Sequence, residues 1–324
     1  MTSPRELHDR VQSEVGRVLI GNEDVIDHLT ISLLAQGHIL LEGVPGVAKT
    51  TIAKLFAEAT GLNSNRIQMT PDLLPADITG SYVYRQKKEE FEVVKGPIFT
   101  NLLVADEINR ATPKTQSSLL EGMQEGYTTI EGTTYSLPSP FMVIATQNPI
   151  EMEGTFPLPE AQRDRFQFKL NVDLPDREEE LELLDRFGDN PDVDDDGVTQ
   201  VVKDGEIYSS RQVVNDVHVD DEVKSYIQKL VGETRSHSGI EHGASPRASI
   251  TCLNASKARA AIEGRSYVIP DDVKYLAKSV LRHRIILNTQ SELSEVTEDE
   301  VIDGILDSME PVEVERGKET NVEV

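Results

Sequence analysis

A short apolar run, His38-Ile39-Leu40-Leu41, leads directly into Gly43-Val44-Pro45-Gly46-Val47-Ala48-Lys49-Thr50, and Ile52, Leu55, Phe56 and Ala59 then follow at helical spacing up to Gly61. An apolar run of this kind suits a strand buried on both faces of a parallel sheet, and parallel strands need helical crossovers. The segment therefore predicts an α/β domain of the doubly wound type. The glycine-containing loop between strand and helix is also a candidate phosphate cradle, because backbone N–H groups at a helix N-terminus point at an anion. In such a loop the Lys49 ammonium reaches β and γ phosphates and the Thr50 hydroxyl binds Mg²⁺, with Thr51 next to it in the first turn. The strict pattern has glycine where Ala48 stands, so this segment alone leaves a plain strand-turn-helix corner open.

Leu102-Leu103-Val104-Ala105-Asp106-Glu107 resolves that choice: it is a second buried strand, ending in adjacent carboxylates. After a phosphate loop, Asp106 is placed to hold Mg²⁺ through water and Glu107 to polarise a water for in-line attack on the γ-phosphorus. Phe141-Met142-Val143-Ile144-Ala145 supplies a third strand, and Arg66-Ile67-Gln68-Met69 and Phe166-Gln167-Phe168-Lys169-Leu170 supply two more.

Before the sheet, Ser3-Pro4-Arg5-Glu6 has the form of a capping box, and a second helix starts near Asn22 and stops at Gly37, where glycine can take a left-handed cap. Two hairpins interrupt the α/β pattern, Tyr82-Val83-Tyr84 with Phe91-Glu92-Val93, and Thr128-Thr129-Ile130 with Thr133-Thr134-Tyr135. After Pro175 a charged helix is followed by a polar loop from Gly188 to about Gly205, and beyond it the pattern is entirely helical. Three stripes mark that bundle: Val223 to Val231; Ile250, Leu253, Ala258, Ala261 and Ile262; and Val273 to Leu281. The expected division is 1–173 for the sheet domain, 174–206 for the charged helix and linker, 207–290 for the bundle, and 291–324 for a partly disordered acidic tail.

The formal charge of −25 opposes adhesion to nucleic acid or anionic membrane and disfavours a DNA-coating role. Such acidity suits a cell interior of molar salt, where a Debye length of ~3 Å screens self-repulsion. The single cysteine, Cys252, excludes an intrachain disulfide and a cysteine-rich metal site, and fits a reducing compartment. Residues 1–7 carry no apolar leader segment and no later run approaches the ~18 residues of a membrane span, so a cytoplasmic protein without membrane insertion is expected.

From about Val18 to Ile286 the sequence resembles MoxR-type AAA+ ATPases, through Gly-Val-Pro-Gly-Val-Ala-Lys-Thr (43–50), Arg-Ile-Gln-Met-Thr-Pro-Asp-Leu-Leu-Pro-Ala-Asp-Ile-Thr-Gly (66–80), Ala-Asp-Glu-Ile-Asn-Arg-Ala (105–111), Ala-Thr-Gln-Asn-Pro (145–149) and Leu-Pro-Glu-Ala-Gln-Arg-Asp-Arg-Phe (158–166). The resemblance implies a P-loop parallel sheet with two β-hairpin inserts, followed by a small α-helical lid domain. It implies ATP and Mg²⁺ as ligands, and Ala48 is compatible with the family. By the same resemblance Asn148 is sensor 1, orienting the lytic water, and Arg247, in Gly243-Ala244-Ser245-Pro246-Arg247, is sensor 2. Arg165 matches the arginine finger that reaches a neighbouring subunit's nucleotide; Arg163 stands where the family usually has an apolar residue and remains an alternative. Ile20-Gly21-Asn22 corresponds to the segment lining the adenine pocket, with Gly21 as its contact and Asn22 in place of the usual glutamine. The hairpins correspond to inserts that line a ring's central channel, which makes Tyr82, Tyr84 and Lys87-Lys88 candidate substrate contacts. The implied assembly is a homo-oligomeric ring, hexameric, whose clients are proteins, often with von Willebrand factor A domains.

Asp192-Val193-Asp194-Asp195-Asp196-Gly197 opens like a calcium loop, but its twelfth position is Lys203 rather than a bidentate glutamate, so an acidic surface loop is expected. The histidines form no zinc pattern. Two rival functions stay open at this level: a nucleic-acid motor, disfavoured by the charge, and a nucleotide-gated scaffold that hydrolyses too slowly to do work.

Overall fold

Two units divide the chain between Val214 and Asn215. The structure, a computed structural model, describes residues 3–149, 154–189 and 197–310. The calcium-like run through Asp196 and the chain beyond residue 310 lie outside the described residues.

The first unit opens with α1 (Pro4–Gly16), which carries the expected Ser3/Glu6 capping box, and α2 (Glu23–Leu34). It continues through β1 (Ile39–Glu42), α3 (Lys49–Thr60), β2 (Ser64–Gln68), α4 (Pro75–Thr79), β3 (Gly80–Arg85), β4 (Glu90–Lys95) and β5 (Leu102–Asp106). After a 3₁₀ turn at Ile108–Arg110 come α5 (Pro113–Glu125), β6 (Tyr127–Ile130), β7 (Thr133–Ser136), β8 (Met142–Gln147), α6 (Glu160–Arg163), β9 (Phe168–Asn171), α7 (Arg177–Asp189) and α8 (Glu206–Asp216), within which the boundary falls.

The five predicted strands form one all-parallel sheet in the order β2-β5-β8-β1-β9. All five residues of β5 are buried, as are the first five of β8, which is why these segments read as continuous apolar runs. Leu40, Leu103, Val143 and Ala145 from the sheet pack with Leu119, Leu120 and Phe166 in its core. Because every strand runs the same way, the residues following β1, β5 and β8 emerge at one carboxyl edge, where open α/β sheets bind ligands.

Both predicted hairpins are present. Gly80 pairs with Lys95 and Tyr84 with Phe91 across β3–β4, and Thr128 pairs with Tyr135 across β6–β7. The tip of the latter, Glu131-Gly132, has φ of 45° and 87°, the two positive values that a tight hairpin turn matching strand twist requires. The Tyr82 hydroxyl lies 3.0 Å from that of Tyr135, tying one hairpin to the other, while the rings of Tyr84 and Phe91 pack at 5.3 Å and stay exposed. Of the candidate substrate contacts, Tyr82 is therefore half-buried and engaged, and Tyr84, Lys87 and Lys88 are exposed.

The turn after α2 differs from expectation. Gln36, not Gly37, takes the left-handed conformation, with φ of 59°. Gly37 is needed for a different reason: a Cβ there would lie 1.7 Å from the Gln167 side chain.

The second unit holds α9 (Asp221–Ser236), β10 (Ile240–His242), α10 (Pro246–Ile262), α11 (Pro270–Leu281), β11 (Ile286–Leu287), α12 (Thr289–Leu293) and α13 (Glu298–Ser308). It is not entirely helical, since β10 and β11 pair antiparallel through Ile240 and Leu287. Of the middle apolar stripe, Ala258, Ala261 and Ile262 are buried as expected, but Ile250 is 59% exposed, and Ala248, Cys252 and Ala255 complete the buried face of α10. The expected tail boundary at 291 also moves. Thr297 and Glu300 form a capping box, Val301, Ile302 and Ile305 are buried, and Arg282–Asp299 at 2.8 Å and Lys278–Asp303 at 2.7 Å pin α13 to the end of α11. Acidity there is matched by partners, so the segment through residue 308 is part of the folded unit.

Candidate nucleotide site

Gly43 to Thr50 connects β1 to α3, as the sequence predicts, and each small residue in the loop has a distinct reason to be small. A Cβ on Gly43 would sit 2.4 Å from the Val172 carbonyl oxygen. Gly46 has open space around it but a φ of 90°, which L side chains rarely adopt. Ala48 caps α3 in the left-handed conformation at φ 58°, so the position that the strict motif gives to glycine has a backbone suited to glycine even here. Val47 is buried and anchors the loop, whereas Pro45, Gly46, Ala48 and Thr51 are exposed.

A cavity of about 430 Å³ lies over this loop at the carboxyl edge of the sheet, lined by Lys49 and Thr50 from α3, Asp106 at the end of β5, Glu107 just after it, and Asn148 after β8. Pro45, Gly46, Ala48 and Thr51 line it as well, so nine of the sequence-predicted site residues come together. A second cavity of about 300 Å³ borders the other side of the loop at Gly43 and Val44, with Asn171, Val172 and Asp173. Gly21, of the predicted adenine segment, has φ of 70° and closely approaches Glu179 of α7, where a Cβ would meet the carboxylate at 2.2 Å.

The Lys49 ammonium donates to the carbonyls of Gly43 and Val44, both at 2.7 Å, which holds it inside the curve of the loop. Burial pulls its pKa below the ordinary lysine value, opposed by the negative charges of Asp106 and Glu107.

Asp106 is 3% exposed and fully engaged: Oδ1 accepts from the hydroxyls of Thr50 at 3.1 Å and Thr146 at 3.2 Å, and Oδ2 accepts from Arg66 Nε at 2.5 Å. Glu107, at φ 56°, turns out of the strand; its backbone N–H donates to Thr146 Oγ1 at 3.0 Å. Its Oε2 accepts from Gln68 Nε2 at 2.6 Å and Arg110 Nη1 at 3.1 Å. Asn148 is buried, and its carbonyl accepts a long 3.5 Å bond from Asn109.

Arg66, Gln68, Thr146 and Arg110 were not singled out from the sequence. Arg66 and Gln68 flank the buried Ile67, and such alternation on a strand places them on one face, but only the pairing of β2 with β5 puts Gln68 beside Asp106.

Neither candidate finger arginine lines the cavity. Arg165 is half-buried, with Nη1 donating to the Leu120 carbonyl at 2.7 Å, and Arg163 ends α6. Arg247 sits exposed in the first turn of α10, where Ser245 Oγ accepts from its backbone N–H at 3.2 Å, as the Ser-Pro-Arg run predicts.

Among the described residues no cluster of histidine, cysteine and carboxylate side chains suits a metal on its own, and no helix is long and apolar enough to cross a membrane. Cys252 is buried, with its thiol pushed up to about 12, so it is inert.

Comparison with known proteins agrees with the geometry. Residues 38–168 match the ATPase family associated with various cellular activities (AAA), and residues 232–305 match the AAA lid domain. The chain is 43% identical to Chaperone MoxR1 of Mycobacterium tuberculosis over 315 residues, covering 94% of this chain and 82% of that one. It is 43% identical to YeaC of Bacillus subtilis over 312 residues, covering 95% and 97%. A crystal structure of a protein from Cytophaga hutchinsonii superposes with a TM-score of 0.87 at 42% identity, covering 96% of each chain. The phosphate loop, the adjacent carboxylates at the end of β5 and these matches together make the chain a member of the MoxR family of AAA+ ATPases.

Proposed function

We propose that this ATPase uses Mg²⁺, works as a homo-oligomeric hexameric ring, and converts ATP hydrolysis into chaperone-like remodelling of protein clients. The observation that carries the reading is the convergence of Lys49, Thr50, Asp106, Glu107 and Asn148 on one cavity.

The donor set fits magnesium. Thr50 Oγ1 and a buried carboxylate lie 3.1 Å apart, and a hard ion held by the hydroxyl, and by the carboxylate through water, would complete its shell with further water and substrate phosphate. When bound, Mg²⁺ neutralises charge on the β and γ phosphoryl oxygens. Lys49 would bind the same oxygens once its bonds to the loop carbonyls are exchanged for them. Glu107 would polarise the attacking water, with Gln68 and Arg110 fixing one oxygen of its carboxylate, and Asn148 would orient that water. Arg165, with Arg163 as alternative, would serve the neighbouring subunit's phosphate, and Arg247 would contact the γ-phosphate from the lid. The adenine would lie by Gly21, on the Gly43–Val44 side of the loop.

The name of the mycobacterial relative supports a chaperone role. Proteins with von Willebrand factor A domains are the proposed clients. A nucleic-acid substrate is disfavoured by the charge of −25, and a cytoplasmic location fits the same reading.

The test is a pair of variants. Lys49→Ala should lose ATP binding, and Glu107→Gln should bind ATP, stop turnover and accumulate as a ring in light scattering. A Glu107→Gln protein that hydrolyses ATP at the parental rate, or stays monomeric with ATP and Mg²⁺, contradicts the reading.

A further inference from the structure

Arg66 is a charged residue in the nucleotide cavity that the family motifs leave without a role. It comes from β2, the edge strand of the sheet, and reaches across to Asp106 on β5. Its guanidinium side chain is 61% exposed, whereas the Asp106 side chain is 4% exposed, and the two meet at 2.5 Å through Nε and Oδ2. The solvated partner is therefore the arginine.

The three donors on Asp106 are not equivalent. Thr50 and Thr146 both donate to Oδ1 and carry no charge. A threonine hydroxyl can keep donating its proton to a carboxylate while its lone pair faces a cation. Arg66 has no lone pair to offer and brings a full positive charge to Oδ2. A divalent cation at Asp106 is thus compatible with both threonines and in direct electrostatic competition with Arg66.

We propose that Arg66 is a resident counter-ion of Asp106 that Mg²⁺ must displace, and that its guanidinium supplies the positive charge beside the phosphates when no metal is bound. Arg66 acts as a positioning residue that sets how strongly nucleotide binding depends on metal. Without metal, its charge supports the nucleotide in place of the ion; with metal, it has to be moved aside. The proposal rests on the assignment of Asp106 to Mg²⁺.

The experiment measures the coupling between metal and nucleotide. A fluorescent β,γ-imido analogue of ATP is titrated onto the full chain by anisotropy, once in excess EDTA and once in Mg²⁺, and the ratio of the two Kd values is taken for each variant. Arg66→Gln, which keeps a hydrogen-bond donor but no charge, should raise that ratio about tenfold, with weaker binding in EDTA. Arg66→Lys, which keeps the charge, should stay within about twofold of the parent. General damage to the site weakens binding in both conditions and leaves the ratio where it was. An unchanged or smaller ratio in Arg66→Gln therefore overturns the proposal, as does an Arg66→Lys ratio that climbs as far. A parental ratio of one overturns the metal assignment beneath it.

Discussion

Gln68 ends β2 and Glu107 directly follows β5, its parallel neighbour, and the amide of the first donates to the carboxylate of the second at 2.6 Å. The bond crosses from the edge strand to the proposed catalytic carboxylate and holds one of its oxygens. A hydrogen bond to a charged acceptor contributes about 1.5–3 kcal/mol, and each 1.4 kcal/mol is a factor of ten. Gln68→Ala should thus lower kcat about tenfold while the Kd for a non-hydrolysable ATP analogue moves less than about twofold. A variant with intact kcat and weakened binding assigns Gln68 to the phosphates instead.

Ala48 caps α3 in a left-handed conformation that costs a residue with a Cβ about 1 kcal/mol. Ala48→Gly should hold or raise stability by up to about 1 kcal/mol, the greater entropy of the unfolded glycine offsetting part of the gain. Ala48→Val, β-branched at the same φ, should lower it by more than about 1 kcal/mol. Urea denaturation of the three proteins checks the order Gly, Ala, Val.

His38 is buried; Nε2 donates to the Met123 carbonyl at 3.0 Å and Nδ1 accepts from the Val143 N–H at 3.0 Å. Both ring nitrogens are committed to the neutral form, and burial drops the pKa to about 4 from an ordinary 6.5. The unfolded chain then binds more protons than the folded one between those values. The stability contribution is complete above 6.5, falls as pH drops toward 4, and amounts to on the order of 3 kcal/mol. His38→Gln should be less stable at pH 7 but lose less on acidification, so that its difference from the parent narrows between pH 6.5 and 4. A difference that stays constant with pH contradicts the buried neutral ring.

The sheet was legible because β1, β5 and β8 are buried on both faces and leave unbroken apolar runs. The site residues at their ends were legible for the same reason: a motif at a strand end fixes its own place at the carboxyl edge. Arg66 and Gln68 were not, because their role depends on which strand lies next to β2, a fact of topology that no local pattern records. The second unit shows the same limit. The antiparallel pair of β10 and β11 is too short to alternate visibly, and α13 reads as an acidic tail until its carboxylates meet Lys278 and Arg282. At Gln36 the chain accepts a left-handed side chain one residue before the glycine, because the glycine is required against Gln167.

In the proposed ring, ATP is cleaved in a pocket to which a second protomer adds Arg165. Arg165→Ala and Glu107→Gln should each be inactive alone for different reasons, one lacking the arginine it gives and the other the carboxylate it keeps. Mixed in equal amounts under conditions of subunit exchange, they restore an intact pairing at about a quarter of head-to-tail interfaces. Steady-state ATPase activity of the mixture should therefore rise well above either parent protein. A mixture as silent as its components, while the subunits demonstrably exchange, would contradict the shared pocket.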